Sequence, residues 1–459
     1  MAIRAPESVA RSGAYSDPSR ADELLERWQF EYDDCQMPLV VDFPSAVDWI
    51  PRGERATHLI HPYPAKLLRQ IPALFASSTK YTQPGNTIFD PFMGSGTVLL
   101  EALLAGRNAA GIDTNPLAVL ISSVKSTPLS PDRLEAYLID ITTAADHGDL
   151  DTRAPNVNNA DYWYAPTIHA ALCRLRAAVS TIASEDHRRF FELALSHCAR
   201  RVSKASPHFS VPVLHKPERF PERHPMRTWR HPASDLKEVL TEFRRIAKLN
   251  ICRMRQLTRT ELDVTATVAE GDARGLQTTQ PADALYDMVI TSPPYVGAQK
   301  YIRASSLSLG WLGYLDRQRL RAYELRTIGR EHLVAPEYQS LLLTGDREAD
   351  RLLTVAWERN PVRGAIAATY LREMSSAVKG IVARLRPGGF MVVVLGANSV
   401  CGHPFPTPQF VDHISRTAGL ELRLHLVDAI RSRSLMTRRN ATAGQIGVEE
   451  IRLYHKPGQ

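Results

Sequence analysis

No apolar run in this chain approaches the roughly 20 uncharged residues that a membrane span needs. Met1 to Arg20 is polar and lacks the apolar core of a secretion signal. The expected location is therefore cytoplasmic, with no membrane partner. Cysteine is sparse, at Cys35, Cys173, Cys198, Cys252 and Cys401. None forms a C-x-x-C pair and no histidine pair stands beside one at zinc spacing, so no metal site is expected. The five read instead as small apolar residues. None follows a proline. Repeats and low-complexity tracts are also missing.

What is present is an uneven charge. The net charge is +7 over 459 residues. Residues 200–259 hold fifteen Lys/Arg against five Asp/Glu, a local +10, which leaves −3 for the remainder. A basic insert in a near-neutral body suggests a polyanionic partner. A solvated basic helix face is the plainer alternative.

A strand and helix rhythm starts at Thr87. Thr87 to Phe89 is an apolar run stopped by Asp90-Pro91. Gly96 to Gly106 carries Leu99, Ala102, Leu103 and Leu104 at helical spacing, and Asn108 to Ile112 reads as a second strand ending at Asp113. The three make a βαβ unit. Residues 128–261 read as mostly helical. Ile168, Leu172, Leu175, Val179 and Ile182 mark one apolar face, a second helix falls near Phe190 to Cys198, and a third runs from about Asp235. Between the last two lies a Pro-, His- and Arg-rich loop with Arg219, Arg223, Arg227, Trp229 and Arg230. Strands resume at Tyr286 to Ile290, Phe390 to Leu395, Leu420 to Val427 and Val448 to Tyr454, with Arg386-Pro387-Gly388-Gly389 as a turn. The expected fold is α/β: one open, mainly parallel sheet flanked by helices, with a helical insert between its halves. The expected division is an N-terminal segment 1–50, a main domain of 51–127 and 262–459, and the basic insert 128–261.

Two segments carry chemistry. Asp90-Pro91-Phe92-Met93-Gly94-Ser95-Gly96-Thr97 joins a strand to a helix. Its glycines let backbone pass close to a ligand, and the helix start offers free N–H groups. No lysine follows the second glycine, which excludes an ATPase phosphate loop. Asp90 is placed to accept from an ammonium group, and Asp113 stands where an acid reaches ribose hydroxyls in dinucleotide folds. A ligand with a ribose, a carboxylate and an ammonium fits, and S-adenosylmethionine has all three. The second segment is Ser292-Pro293-Pro294-Tyr295. Paired prolines stiffen a loop and remove two donors, leaving acceptors for an amino group. Tyr295 offers a flat face for an extruded base.

Together these segments resemble the DNA amino-methyltransferases, which make N4-methylcytosine and N6-methyladenine. His61-Pro62-Tyr63-Pro64-Ala65-Lys66, Gly111 to Pro116, Gly271-Asp272-Ala273 and Leu385 to Leu395 are similar to further family segments. The resemblance implies a Rossmann-like class I methyltransferase fold with a seven-stranded sheet. It implies S-adenosylmethionine held by Asp90, Pro91, Phe92, Gly94, Ser95, Gly96, Thr97, Asp113 and Asp272, the last at the adenine amino group. It assigns catalysis to Ser292, Pro293, Pro294 and Tyr295, with direct transfer to a flipped base in double-stranded DNA. The missing Pro-Cys dipeptide argues against the cytosine-C5 enzymes, which need a thiolate. The S-P-P-Y form favours cytosine N4, with adenine N6 as the alternative and a transfer-RNA guanine-N2 enzyme as a lesser one. The insert, or the segment Lys300 to Leu371 with Arg303, Arg317, Arg319 and Arg321, is the candidate DNA reader. A cognate restriction nuclease is a candidate partner.

Overall fold

A computed structural model describes residues 16–51, 55–64, 66–229, 233–276, 285–297, 301–315, 317–429 and 447–458. Arg230, Lys300 and Ala65, named above, lie outside these residues, as does the side chain of Arg317. Ten strands are described: β1 Leu39–Val41, β2 Thr87–Asp90, β3 Asn108–Asp113, β4 Ala266–Glu270, β5 Tyr286–Thr291, β6 Leu385–Leu395, β7 Asn398–Val400, β8 His403–Phe405, β9 Glu421–Ala429 and β10 Val448–His455. Eight of them form one sheet in the order β1-β9-β10-β6-β5-β2-β3-β4. Every neighbouring pair is parallel except those of β10, which runs antiparallel to both β6 and β9. Seven strands, from β4 to β9, give the expected class I methyltransferase sheet. The eighth, β1, extends its edge along β9, with Leu39 opposite Leu426.

The sheet is covered on both faces because its strands are apolar in both directions. Ile88, Met288, Ile290, Val392 and Val394 face one core, shared with helices Pro18–Cys35, Gln70–Ser77 and Thr97–Leu104. Their neighbours Phe89, Val289, Met391, Val393 and Leu395 face the other, shared with helices Pro361–Arg384 and Thr407–Thr417. This two-residue alternation is the side-chain period of a strand. The helix Pro18–Cys35 buries Ala21, Leu24, Leu25, Trp28 and Tyr32, so the N-terminal segment packs against the sheet.

The insert forms its own helical layer. Its helices are Pro131–His147, Pro166–Ser180, Glu185–Arg201 and Leu236–Thr258. The predicted stripe Ile168, Leu172, Leu175, Val179 and Ile182 is buried throughout. Leu240 and Phe243 are buried as expected, but Leu236 is only half-buried, since it opens the helix behind the Asp235 cap. These helices share one core with helix Pro116–Ser126 of the sheet domain and with Trp311. Arg386 to Gly389, expected as a turn, is instead drawn into β6, with the register slipping between Tyr286 and Met288 on β5. Cys401 and Gly402, at φ 51° and 79°, turn β7 into β8. Positive φ at both central residues matches the twist of a two-residue hairpin.

Candidate active site

Strand order reverses direction at β2 and β5. The chain leaves β2 toward β3 and β4 on one side, while β5 leads to β6 on the other. In such sheets ligands bind beyond the carboxyl ends of the strands at this switch point. Asp90 ends β2, and Ser292-Pro293-Pro294-Tyr295 follows β5 directly. Thr291 Oγ1 donates to Asp90 Oδ1 at 2.7 Å, tying the two loop bases together.

The glycine loop is shaped by close contacts. Gly96 caps the helix Thr97–Leu104 in the left-handed region, at φ +70°. A Cβ there would stand 2.7 Å from Ser122 Oγ and 3.0 Å from Ser122 Cα. Only glycine lets the loop approach helix Pro116–Ser126 this closely. Asp113, at the end of β3, accepts from Gly94 N at 2.9 Å and Asn115 N at 2.8 Å. Its backbone bonds lock the glycine loop to the neighbouring strand.

A cleft of about 650 Å³ of open space lies above these strand ends. Pro91, Phe92, Gly94, Asp113, Asp272, Ser292 and Pro294 border it, so seven of the thirteen expected site residues meet there. Asp90, Ser95 and Thr97 are buried and do not border it, and Gly96 lies at the helix cap. Pro293 is buried, and the ring of Tyr295 packs against the core that includes Ile328 and Tyr370. The Tyr295 hydroxyl donates to Glu449 Oε1 at 3.4 Å. The cleft also has walls beyond the expected site residues. Tyr63 and Asn115 belong to the segments similar to the family, whereas Tyr301, Ile302, Arg326, Thr327 and Ile328 carry no motif. Asn115 Nδ2 donates to Tyr63 Oη at 3.2 Å and its Oδ1 accepts from Leu117 N, so one side chain caps a helix and fixes a wall.

Electrostatics divide the three acids. Burial pushes the Asp90 carboxyl up to about 7, against bonds from Thr291 and Phe92 that pull it down. Burial likewise lifts Asp113 to about 6. The hydrogen bonds to both carboxyls come from neutral groups, the Thr291 hydroxyl and the backbone of Phe92, Gly94 and Asn115. Burial raises Asp272 too, but Arg274 outweighs it and holds that carboxyl below its usual value. Arg274 Nη2 lies 2.5 Å from Asp272 Oδ2, and its Nη1 lies 2.6 Å from Glu373 Oε1. A buried and a half-buried carboxylate with no ion pair among the described residues, close to a cleft, are a site that a cationic ligand would stabilise. Among the described residues no group of His, Cys, Asp or Glu is arranged to hold a metal, and no helix is long and apolar enough to cross a membrane.

The sheet has the strand order of the class I methyltransferase fold, with a cleft at its switch point. Residues 59–123 match the family model described as a DNA methylase of the N6/N4 type. The type II methyltransferase M.MvaI of Kocuria varians is 28% identical over 56% of this chain and 57% of its own length. The type II methyltransferase M.MjaII of Methanocaldococcus jannaschii is 36% identical over 22% of this chain and 19% of its own. The chain thus spans little more than half of one curated relative and a fifth of the other. A SAM-dependent methyltransferase of Methanosarcina mazei aligns over 83% of this chain and 96% of its own, at 10% identity and a TM-score of 0.29, too low to argue from. By the family match and the two sequence relatives, the chain is similar to DNA methylases of the N6/N4 type.

Proposed function

We propose that the protein is an S-adenosylmethionine-dependent DNA methyltransferase acting on an exocyclic amino nitrogen, with cytosine N4 as the favoured target. One observation carries the reading: the expected cofactor residues Gly94, Asp113 and Asp272 and the expected amine-holding residues Ser292 and Pro294 border a single cleft. The donor set fits the cofactor's chemistry. Asp113 has lone pairs toward ribose hydroxyls, the loop at Gly94 has backbone to approach, and Asp90 beneath it gains from a nearby ammonium.

When bound, S-adenosylmethionine supplies an electrophilic methyl. The protein's own residues hold and orient. The Ser292 hydroxyl and the Pro293 carbonyl accept the hydrogens of the target amine, turning its lone pair out of ring conjugation. Tyr295, anchored through Glu449, backs the loop that receives the base. Ser292 is too weak a base to keep a proton, which leaves to solvent after transfer. Positioning of this kind is worth roughly 7–11 kcal/mol in well-aligned systems. Base extrusion lets the loop reach an amine that is buried in a duplex. A role beside a cognate restriction nuclease belongs to the same proposal, prompted by relatives named as type II methyltransferases.

The test is expression in a host without DNA methylation, followed by mass spectrometry of genomic nucleosides. N4-methylcytosine is expected. N6-methyladenine would keep the chemistry and overturn the base. Methylated guanosine in transfer RNA, with unmodified DNA, would replace the proposal with an RNA enzyme.

A further inference from the structure

Two cavities meet at a pair of histidine rings, His61 and His197, whose centroids lie 5.6 Å apart. The first, about 600 Å³ of open space, is walled by Lys66, Arg245 and Arg253. The second, about 1060 Å³, is walled by Arg201, Phe209 and Ser305, among others. The second abuts the methyltransferase cleft across one side chain. Asn115 Nδ2, on the cleft wall, donates to both Tyr63 Oη and Ser305 Oγ at 3.2 Å, and those two residues line the second cavity. Sharing His61, Pro62 and His197, the two cavities form one groove on the basic insert, separated from the cleft by that wall of side chains.

Positive charge dominates this groove. Arg201 and Arg245 share one carboxylate, Glu242, at 3.0 and 2.7 Å. Lys66 reaches the carbonyls of His58 and His61 at 3.3 and 2.9 Å. Burial, and then Arg253, lower its ammonium to about 8. Burial, followed by Arg201, Arg245, Arg253 and Lys66, drives His197 down to about 3. That ring is neutral in consequence, and its Nδ1 is buried without a partner. Cations crowded together beside an uncharged ring suit an anion that approaches from solvent. Arginine and lysine in one groove suit phosphate in particular.

We propose that this groove grips the phosphodiester backbone of the DNA strand whose base enters the cleft, with Lys66, Arg201 and Arg245 as the phosphate contacts. The inference rests on the methyltransferase reading and adds the surface that holds the substrate. Phosphates beside an extruded nucleotide must be fixed while the base is out, and they lie within a few ångströms of it along the strand. A groove one side chain from the cleft is placed to do this. Such contacts position the strand and read no sequence.

The test compares the full-length protein with Arg245→Gln, Lys66→Met and their double variant. A fluorescein-labelled duplex is titrated by anisotropy across a salt series, and S-adenosylmethionine binding is measured by calorimetry. The double variant is expected to bind duplex at least tenfold more weakly, with a log affinity against log salt slope reduced by about 0.9 per phosphate lost. Cofactor binding is expected to be unchanged. If Lys66→Met fails to fold, the exposed Arg245→Gln reads the same effect, and Arg245→Lys is expected to restore most of it. Duplex affinity and slope equal to wild type, with cofactor binding intact, would overturn the groove alone. A wild-type protein that takes up the cofactor but no duplex would overturn both proposals. Inorganic phosphate binding that the variants abolish, while duplex binding is untouched, would assign the groove to a small anion and refute its role with DNA.

Discussion

Asp90 is a buried acid whose ionisation is costly to the fold and useful to the proposed cofactor, and Asp90→Asn separates the two. Its carboxyl is lifted from 3.8 to about 7, chiefly by burial. Three units correspond to something on the order of 4 kcal/mol when the group is ionised. Asparagine removes that cost and keeps an oxygen for Thr291 and Phe92, whose pull on the carboxyl is already contained in the net shift. The ligand-free variant is therefore expected to be up to about 4 kcal/mol more stable at pH 8. With unfolding entropy near 1 kcal/mol per kelvin for a chain this long, that is up to about 4 °C in Tm. The sign reverses the usual carboxylate case. A raised native pKa means the folded protein binds more protons than the unfolded chain between about 4 and 7, so wild-type stability falls as pH rises through that window. At pH 5 the folded carboxyl is neutral while the unfolded one is ionised, so about 1.6 kcal/mol of the advantage should remain, and it should vanish only below about pH 4. Differential scanning calorimetry at pH 5 and 8 checks this. The cofactor should behave oppositely. Wild-type affinity should drop about tenfold from pH 8 to 6 as Asp90 takes up its proton, and the variant should bind weakly at both. A variant less stable than wild type at pH 8, or a Tm difference independent of pH, would refute the reasoning.

Ser292→Ala should keep S-adenosylmethionine affinity within twofold and lower single-turnover methyl transfer by ten- to a hundredfold, the loss of about 1–3 kcal/mol from one aligned acceptor; wild-type turnover would remove Ser292 from the mechanism. Gly96→Ala places a methyl 2.7 Å from Ser122 Oγ at a φ of +70°. Left-handed strain and overpacking should cost about 3 kcal/mol together, visible as a fall of about 3 °C in Tm and weaker cofactor binding; unchanged values for both would mean that the loop relaxes freely. Glu101→Leu leaves buried Arg55 without the carboxylate now 3.1 Å away and should destabilise by about 3–5 kcal/mol, with cofactor chemistry affected only through folding; a Tm within a degree of wild type would contradict this.

The sheet was legible where short apolar runs ended in chemistry. Thr87 to Asp90 and Tyr286 to Thr291 each stop at a residue that the switch point then uses. The insert was legible through one stripe, because Ile168 to Ile182 keeps a helical step against a single core. β1 was not, because three residues give no period and its strand exists only through pairing with β9. Nor were the walls at Tyr301, Ile302, Arg326, Thr327 and Ile328, which a distant stretch of chain brings to the cleft without a motif. Tyr295 shows a different limit. Its ring reads in the sequence as a stacking face for an extruded base, whereas it packs against the core with Ile328 and Tyr370, and its hydroxyl goes to Glu449, 154 residues later, on the reversed strand β10.

The two acids that border the cleft differ in what they have left to give. Asp272 Oδ1 accepts from Arg274 N and Nε at 2.9 and 3.0 Å, and its Oδ2 from Nε and Nη2 at 3.1 and 2.5 Å. These contacts come from three N–H donors, one of them shared between both oxygens, and Arg274 brings its positive charge with them. Asp113 also accepts from three donors, but they are the neutral backbone groups of Gly94, Asn115 and Thr114, which leaves its charge available to the cleft. The resemblance gives both acids to the cofactor, yet the paired cation separates them. Asp113→Ala should weaken S-adenosylmethionine at least tenfold, the loss of roughly 1.4 kcal/mol or more from a charged acceptor. Asp272→Ala should weaken it less than threefold and act mainly on stability, by leaving Arg274 with Glu373 alone. Isothermal titration of both variants decides between them. A larger loss at Asp272 would mean that Arg274 releases its carboxylate when the adenine edge arrives, and the ion pair would then be a latch that binding opens.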